Sequence, residues 1–370
     1  MNILILTASY GTGHITAAKS IQDAFNLFFP EAKTKIIDFL SINKDQKDQL
    51  SFFQKLYNFS MEKPILFDIF FSLTNNKLCN SILKFILLKN YKYVEKLFNE
   101  FQPDIFISTH PYWNFIVDKY KRKIKTIPYT CVVTDSYMIH QAWISKKVDY
   151  YFVIDEDTKH VLINYGVRNI YVTGFPVNPK IFEKTDREKI LLELGLDINK
   201  KTILITIGLG AIDRFLDIIN YLKDKENKSF QLIIITGKYK NIYDKLNNTK
   251  FRPKTKIIGW TDRMHDFLKA ADVVISKAGG AIVSETLSCG APIFIPLFVP
   301  AQEKGNVYII KKYNMGFYEE NIEKVYKILD DIIFDKIDIN IYKQNIKKFI
   351  KFNPALKIAK LITNIIKDTL

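Results

Sequence analysis

Ser276, Lys277, Ala278, Gly279 and Gly280 follow a short apolar run at 273–275 and open a helix-periodic segment that carries Glu285. A strand, a glycine turn and a helix start are the parts from which an α/β protein makes a phosphate site. Backbone N–H groups at the helix N-terminus point at the anion, and the helix dipole favours it. Glycine lets the backbone approach without a Cβ in the way. Glu285 lies about one and a half turns further on, where a carboxylate can accept both hydroxyls of a ribose. After a second apolar run at 292–296, the loop holding Gln302, Glu303 and Asn306 clusters amide and carboxylate groups that suit sugar hydroxyls. Together these residues predict a nucleotide-sugar site.

A second set could move a proton. Gly11-Thr12-Gly13-His14 is the turn after an apolar run at 2–6, and apolar residues then recur at helical spacing from Ile15 to Phe28. His14 therefore stands at the mouth of a βα unit, where open α/β sheets bind ligands. His110 follows the run at 104–108 and Asp135 the run at 127–133, which brings three polar ends to one rim. An imidazole or carboxylate there can take a proton from a hydroxyl. The plainer alternatives are a packed turn histidine and an aspartate that caps the next segment. The glycines are not a dinucleotide fingerprint, because the third is missing.

The elements that must position these residues read as two βα series. Strands are expected at 2–6, 34–38, 104–108, 127–133, 150–154 and 170–173, with helices between. Residues 44–100 interrupt the rhythm with consecutive helical patterns in which Phe, Tyr and Leu interleave with lysine. That stretch reads either as a membrane-facing lobe, with residues 52–98 doing the docking, or as a helical insertion whose aromatics are core. The segment 174–179, with two prolines and a glycine, is the linker candidate. Strands then recur at 202–207, 230–236, 255–258, 273–275 and 292–296. Four of them end in small or charged residues: Gly208 and Gly210, Gly237 and Lys238, Gly259 and Trp260, and Ser276 with Lys277. Gly13 and Met264 complete the predicted nucleotide-sugar set. The expected domains are 1–177 for the acceptor and the membrane surface, and 178–352 for the nucleotide sugar. A last helix at 355–369 is expected to return to the first domain.

Composition narrows the partners. The 370 residues suit two domains, and 48% apolar residues are enough for real cores. Three cysteines, far apart and odd in number, exclude a disulfide framework and a cysteine-based metal site. No uncharged apolar run approaches the ~18 residues of a membrane span, and the N-terminus has no signal-peptide pattern. Scattered cysteines fit a reducing, cytoplasmic location. The net charge of +15 calls for anionic partners, either phosphorylated substrates or an anionic membrane surface. Nucleic acid is set aside, since the basic residues are dispersed and no binding motif occurs.

The segments ILILTASYGTGHITAAKSI, STHP at 108–111, VVTDSYMIHQAWI at 132–144 and VTGFPVNPKIF at 172–182 resemble a known family. So does GWTDRMHDFLKAADVVISKAGGAIVSETLSCGAPIFI, followed by PAQEKGN at 300–306. The chain is similar, from residue 1 to about 320, to the diacylglycerol glycosyltransferases of glycosyltransferase family 28. The resemblance implies a GT-B fold, two doubly wound Rossmann-like domains with an interdomain cleft. It also implies inverting, metal-independent transfer of glucose or galactose from a UDP-sugar to diacylglycerol or a glycolipid acceptor. It makes His14 the favoured base or its close helper, Gly279 and Gly280 the diphosphate site, Glu285 the ribose ligand, and Gln302 with Glu303 the sugar-holding pair. The chain departs from the family at three positions: Ser276 replaces a frequent Thr, Ala301 a usual Gly, and Asn178 a frequent Arg. Lys277 or Lys238 is then the candidate to meet the phosphate charge. The alternatives carried forward are a polyprenyl-linked or soluble acceptor, and a UDP-N-acetylglucosamine 2-epimerase.

Overall fold

The computed structural model describes residues 1–9, 11–41, 68–69, 71–73, 75, 81, 84–85, 87–124, 126–208, 210–226 and 229–369. They divide into two compact units. Unit 1 comprises Met1–Pro179, Pro300–Asn306 and Phe352–Leu370; unit 2 comprises Lys180–Val299 and Val307–Lys351.

Unit 1 is built on a six-stranded parallel sheet: β1 (Asn2–Thr7), β2 (Lys33–Asp38), β3 (Ile105–Ser108), β4 (Tyr129–Val132), β5 (Tyr150–Val153) and β6 (Ile170–Val172). Its order is β2-β1-β3-β4-β5-β6. The inner strands β1, β3, β4 and β5 are largely buried and mostly apolar because helices cover both faces, whereas the edge strand β2, KTKIID, is mostly polar and only partly buried. Alternation sorts the side chains: Leu4 and Leu6 enter a core with Phe98, Trp113 and Tyr120, whereas Ile3 and Ile5 enter one with Ala18, Ile21 and Phe25. The first face is closed by α2 (Tyr91–Phe101) and α3 (Trp113–Tyr120), the second by α1 (Gly13–Phe28). In unit 1, α4 (Glu156–Asn164) starts where Asp155 accepts a hydrogen bond from the Thr158 N–H.

Unit 2 repeats the plan with β7 (Lys201–Thr206), β8 (Phe230–Ile235), β9 (Thr255–Ile258), β10 (Val273–Ile275), β11 (Ile293–Ile295) and β12 (Gly316–Tyr318). Their order is β12-β11-β10-β7-β8-β9, all parallel. Its helices are α5 (Arg187–Glu193), α6 (Ile212–Lys223), α7 (Lys240–Asn247), α8 (Met264–Ala270), α9 (Gly280–Ser288), α10 (Glu303–Lys312, which begins in unit 1), α11 (Ile322–Ile333) and α12 (Ile339–Phe349).

The chain returns to unit 1 through α13 (Pro354–Thr369), whose Ala355, Ile358, Ala359, Ile362 and Ile366 join the core beneath β1 and β3. Gly174 makes this return possible. It has φ +78°, and a Cβ there would sit 2.9 Å from Pro354 Cγ.

Most of the expected strands are found within a residue or two. Two elements were not anticipated: β12, three residues long, and α5, announced by Asp186 accepting from the Glu188 and Lys189 N–H groups. The segment Pro300–Asn306, expected within the nucleotide-sugar domain, packs with unit 1. Of the stretch 44–100, α2 buries Tyr91, Val94 and Phe98 in the core. Residues 42–67 of the expected membrane lobe lie outside the described residues, as do several up to 86.

Candidate functional site

In each unit the strand order names the place to look. An open sheet reverses direction where two adjacent strands send their connections to opposite sides, and ligands bind beyond the strand ends there. In unit 1 that point is between β1 and β3; in unit 2 it is between β7 and β10.

His14, Thr109 and His110 stand at the unit 1 point. His14 Nδ1 lies 2.8 Å from the Thr109 carbonyl and 2.8 Å from Thr134 Oγ1. A carbonyl only accepts, so Nδ1 carries the proton and the Nε2 lone pair is left for a proton acceptor's role. Thr109 Oγ1 donates back to the His14 carbonyl. Burial pulls the imidazole down to about 4, with the Thr109 bond opposing, so His14 is neutral at pH 7. His110 is 4% exposed, and its ring meets His14 edge-on at 4.5 Å. Its Nδ1 accepts from the Tyr112 N–H, and burial keeps the ring uncharged.

Asp135 follows β4 on the same edge. It accepts a hydrogen bond from the indole of Trp143, Nε1 to Oδ2 2.7 Å. Burial pushes its carboxyl up to about 6, against the indole bond. The Trp143 ring centroid lies 6.2 Å from that of His14. The indole is fixed from behind: Asn114 donates to the Ala142 and Trp143 carbonyls, and Tyr151 donates to the latter too. His14, His110 and Asp135 therefore gather on one rim. Thr109, Thr134 and Trp143 complete it. None of these three stands among the candidate site residues, although Thr109 lies inside STHP and the other two inside VVTDSYMIHQAWI.

In unit 2, α9 begins at Gly280 with Gly279 as N-cap; no side chain caps it, and its first turn has no acidic residue. Its leading N–H groups face the end of β10 without a capping side chain, the arrangement that accepts an anion. Across the switch point, Thr206 Oγ1 donates to Ser276 Oγ at 2.6 Å. The Lys277 stem lies against Gly208, so closely that a Cβ at Gly208 would be 3.0 Å from Lys277 Cδ. Ala278 is buried.

The neighbouring strand ends carry the remaining predicted positions in sheet order. Gly210 (φ +80°) follows β7, Lys238 follows β8 and is exposed, and Gly259 and Trp260 follow β9. Trp260 is 67% exposed, whereas Met264 is partly buried against the core. Glu285 lies on α9, and burial raises its carboxyl to about 7. Gly13 stands apart from these, at the start of α1 in unit 1.

Gln302, Glu303 and Asn306 sit in the segment of unit 1 that leads into α10. Ala301, where the resembled family has glycine, has φ +46°. That backbone region favours glycine, which explains the family's choice. Gln302 Oε1 is buried without a hydrogen-bond partner. Gly305 abuts Ser136, and a methyl group there would overlap the Ser136 carbonyl. Among the described residues, no group of three or more His, Cys, Asp or Glu is arranged to hold a metal ion.

Comparison with known proteins follows the two units. The monogalactosyldiacylglycerol (MGDG) synthase family model matches residues 14–177, and the glycosyltransferase family 28 C-terminal domain matches residues 202–351. A processive diacylglycerol beta-glucosyltransferase from Bacillus licheniformis is 28% identical over 342 residues, covering 89% of this chain and 87% of the relative. Monogalactosyldiacylglycerol synthase 3 of Arabidopsis thaliana is 28% identical, over 89% of this chain and 73% of its own length. Among solved structures, MurG from Acinetobacter baumannii aligns with TM-score 0.61 at 11% identity, over 98% of this chain and 99% of that one. The UDP-GlcNAc 2-epimerase from Neisseria meningitidis aligns with TM-score 0.60 at 15% identity over both whole chains. These two speak for the GT-B fold alone, whereas the sequence matches reach the motifs. Residues 14–177 thus match the MGDG synthase family and residues 202–351 the glycosyltransferase family 28 C-terminal domain, and most of the chain is similar to diacylglycerol glycosyltransferases.

Proposed function

We propose that the chain is an inverting hexosyltransferase that moves glucose or galactose from a UDP-sugar to the hydroxyl of diacylglycerol. The acceptor oxygen attacks C1 of the hexose as the bond from C1 to the diphosphate breaks, and UDP leaves with the electron pair. The proton of the attacking hydroxyl passes to His14 Nε2. The single observation that carries this reading is the Thr109 bond, which fixes the tautomer and leaves Nε2 open on a neutral ring. Asp135, near 6 and held by Trp143, is the neighbouring carboxylate that can steady or relay the proton.

The charge that develops on the diphosphate is met by the α9 start at Gly279 and Gly280 and by Lys277, preorganised donors of the kind that stabilise a leaving anion. Gly208, Gly210, Lys238, Gly259, Trp260 and Met264 would line the nucleotide's path, with Gly13 beside the base. Glu285 holds the ribose, and Gln302, Glu303 and Asn306 hold the hexose. No metal ion enters this mechanism.

The acceptor is a membrane lipid, so the enzyme works as a peripheral protein at an anionic surface, the inner face of the cell membrane. Ile69, Leu73, Phe85 and Tyr93 are exposed large apolar side chains in the stretch that also carries Lys84, Lys89 and Lys92, which supports docking there. Incubating the protein with UDP-glucose or UDP-galactose and diacylglycerol liposomes, then separating the lipids by thin-layer chromatography, tests the reading. Absence of a glycolipid with either donor overturns it.

A further inference from the structure

The segment that carries the sugar-holding pair is pinned from two sides within unit 1. On one side Gly305 presses on the backbone of Ser136, next to Asp135. On the other stands Asp68, more than two hundred residues away in sequence. Its Oδ1 accepts the Ala301 N–H at 2.8 Å, and both carboxylate oxygens accept from Lys304 Nζ, at 3.0 and 2.8 Å. Asp68 thus grips residues on both sides of Gln302 and Glu303. The Lys304 pair is half-exposed on both sides and contributes little by itself. The bond to the Ala301 amide matters more, because Ala301 is buried and holds φ +46°, a left-handed conformation that strains a residue with a Cβ. A loop strained in this way relaxes unless something fixes it. What it presents is Gln302 Oε1, a buried acceptor with no partner. An orphaned carbonyl oxygen next to a candidate sugar site is satisfied by a hydroxyl donor, and a hexose supplies one.

We propose that Asp68 is a positioning residue that holds the 300–306 segment in its strained form, so that Gln302 meets a hydroxyl of the donor hexose. The proposal rests on reading Gln302 and Glu303 as the sugar-holding pair. It adds a residue that contacts neither nucleotide nor sugar, and it ties hexose recognition to the stretch of chain offered above for lipid docking.

The test uses the full chain, UDP-glucose and UDP-galactose as donors, and diacylglycerol liposomes. Asp68→Ala should raise KM for the UDP-hexose about tenfold or more, the effect of one lost charged hydrogen bond. The Kd of UDP, which lacks the hexose, should stay within twofold. Asp68→Asn keeps an oxygen that accepts the Ala301 N–H and should restore KM to within about twofold of wild type. A merely structural role would move UDP binding and the thermal midpoint together and would gain nothing from Asn. Unchanged KM in Asp68→Ala, a parallel loss of UDP affinity, or no rescue by Asn each overturn the proposal. A wild-type chain inactive with both donors overturns the function reading instead, and that result precedes any variant.

Discussion

Glu285 gives a sharp test of the proposed ribose contact, which would make its carboxyl lose a proton when ligand arrives. Burial without a compensating bond raises it to about 7 in the free protein, from 4.5. Ribose hydroxyls donating to the carboxylate favour the charged form and pull the value back down. If the bound value returns to its ordinary range, each binding event at pH 6 releases about 0.9 proton and at pH 8 only about 0.1. Affinity should then be about tenfold weaker at pH 6 than at pH 8, which is about 1.4 kcal/mol. The sign follows from linkage: the free form binds more protons, so binding strengthens as pH rises through 7 and levels off above it.

UDP-glucose is the ligand to use, since the terminal phosphate of UDP itself titrates near 6, as phosphate monoesters do. Calorimetry at pH 6 in two buffers of different ionisation enthalpy reads the proton count directly. Glu285→Gln should abolish both the buffer dependence and the pH slope of affinity. Buffer-independent heats in the wild type, or the same proton release in the variant, would refute the assignment of Glu285 to the ribose. The free protein carries the converse signature. Glu285 is raised, so its stabilising contribution is full below pH 4.5 and is lost as pH rises through 7, at most about 3 kcal/mol. The thermal midpoint of Glu285→Gln should gain on wild type across that window.

Further outcomes follow from the geometry. His14→Ala should cut turnover about 100-fold or more while UDP still binds, read by single-turnover kinetics; unchanged turnover would remove it as the base. Trp143→Phe deletes the indole bond that opposes burial at Asp135, so that carboxyl should rise above about 6 and the acidic limb of the pH profile should move to higher pH. Gly305→Ala places a methyl group into the Ser136 carbonyl, so activity should fall by about tenfold or more with the nucleotide affinity preserved; steady-state kinetics beside UDP titration checks this. Co-sedimentation should show the protein binding liposomes that contain anionic lipid more strongly than neutral ones, with the difference shrinking at high salt.

Much of this was visible in the sequence because buried parallel strands advertise themselves as apolar runs. The runs at 2–6, 202–207 and 273–275 each led to a turn with glycine, and each of those turns sits at a switch point. Glu285 and Ser276 were legible from spacing along a single strand-turn-helix unit. What escaped depends on contacts between distant segments. Trp143 matters through Asp135 and His14, and no local pattern marks an indole as a donor. Asp68 acts on Ala301 across more than two hundred residues. The β12 strand, Gly-Phe-Tyr, lacks the aliphatic residues that mark β10 and β11, which are equally short. The placement of 300–306 with unit 1 follows from the grip of Asp68 and Ser136, which the run of strands and helices does not encode. Ala301 is the reverse case: a departure from the family's glycine was noticed in sequence, and its φ supplies the reason.

The last sixteen helical residues, Pro354–Thr369, close the floor beneath the first strand of the chain. During synthesis that floor emerges long after the strands it covers, so the amino-terminal half must wait, with Ile3, Ile5 and Phe25 uncovered, for a segment far downstream in the chain. A chain cut short before residue 354 therefore leaves its oldest part unfinished and sticky, and quality control should clear such fragments even though every residue of the proposed site has already been made.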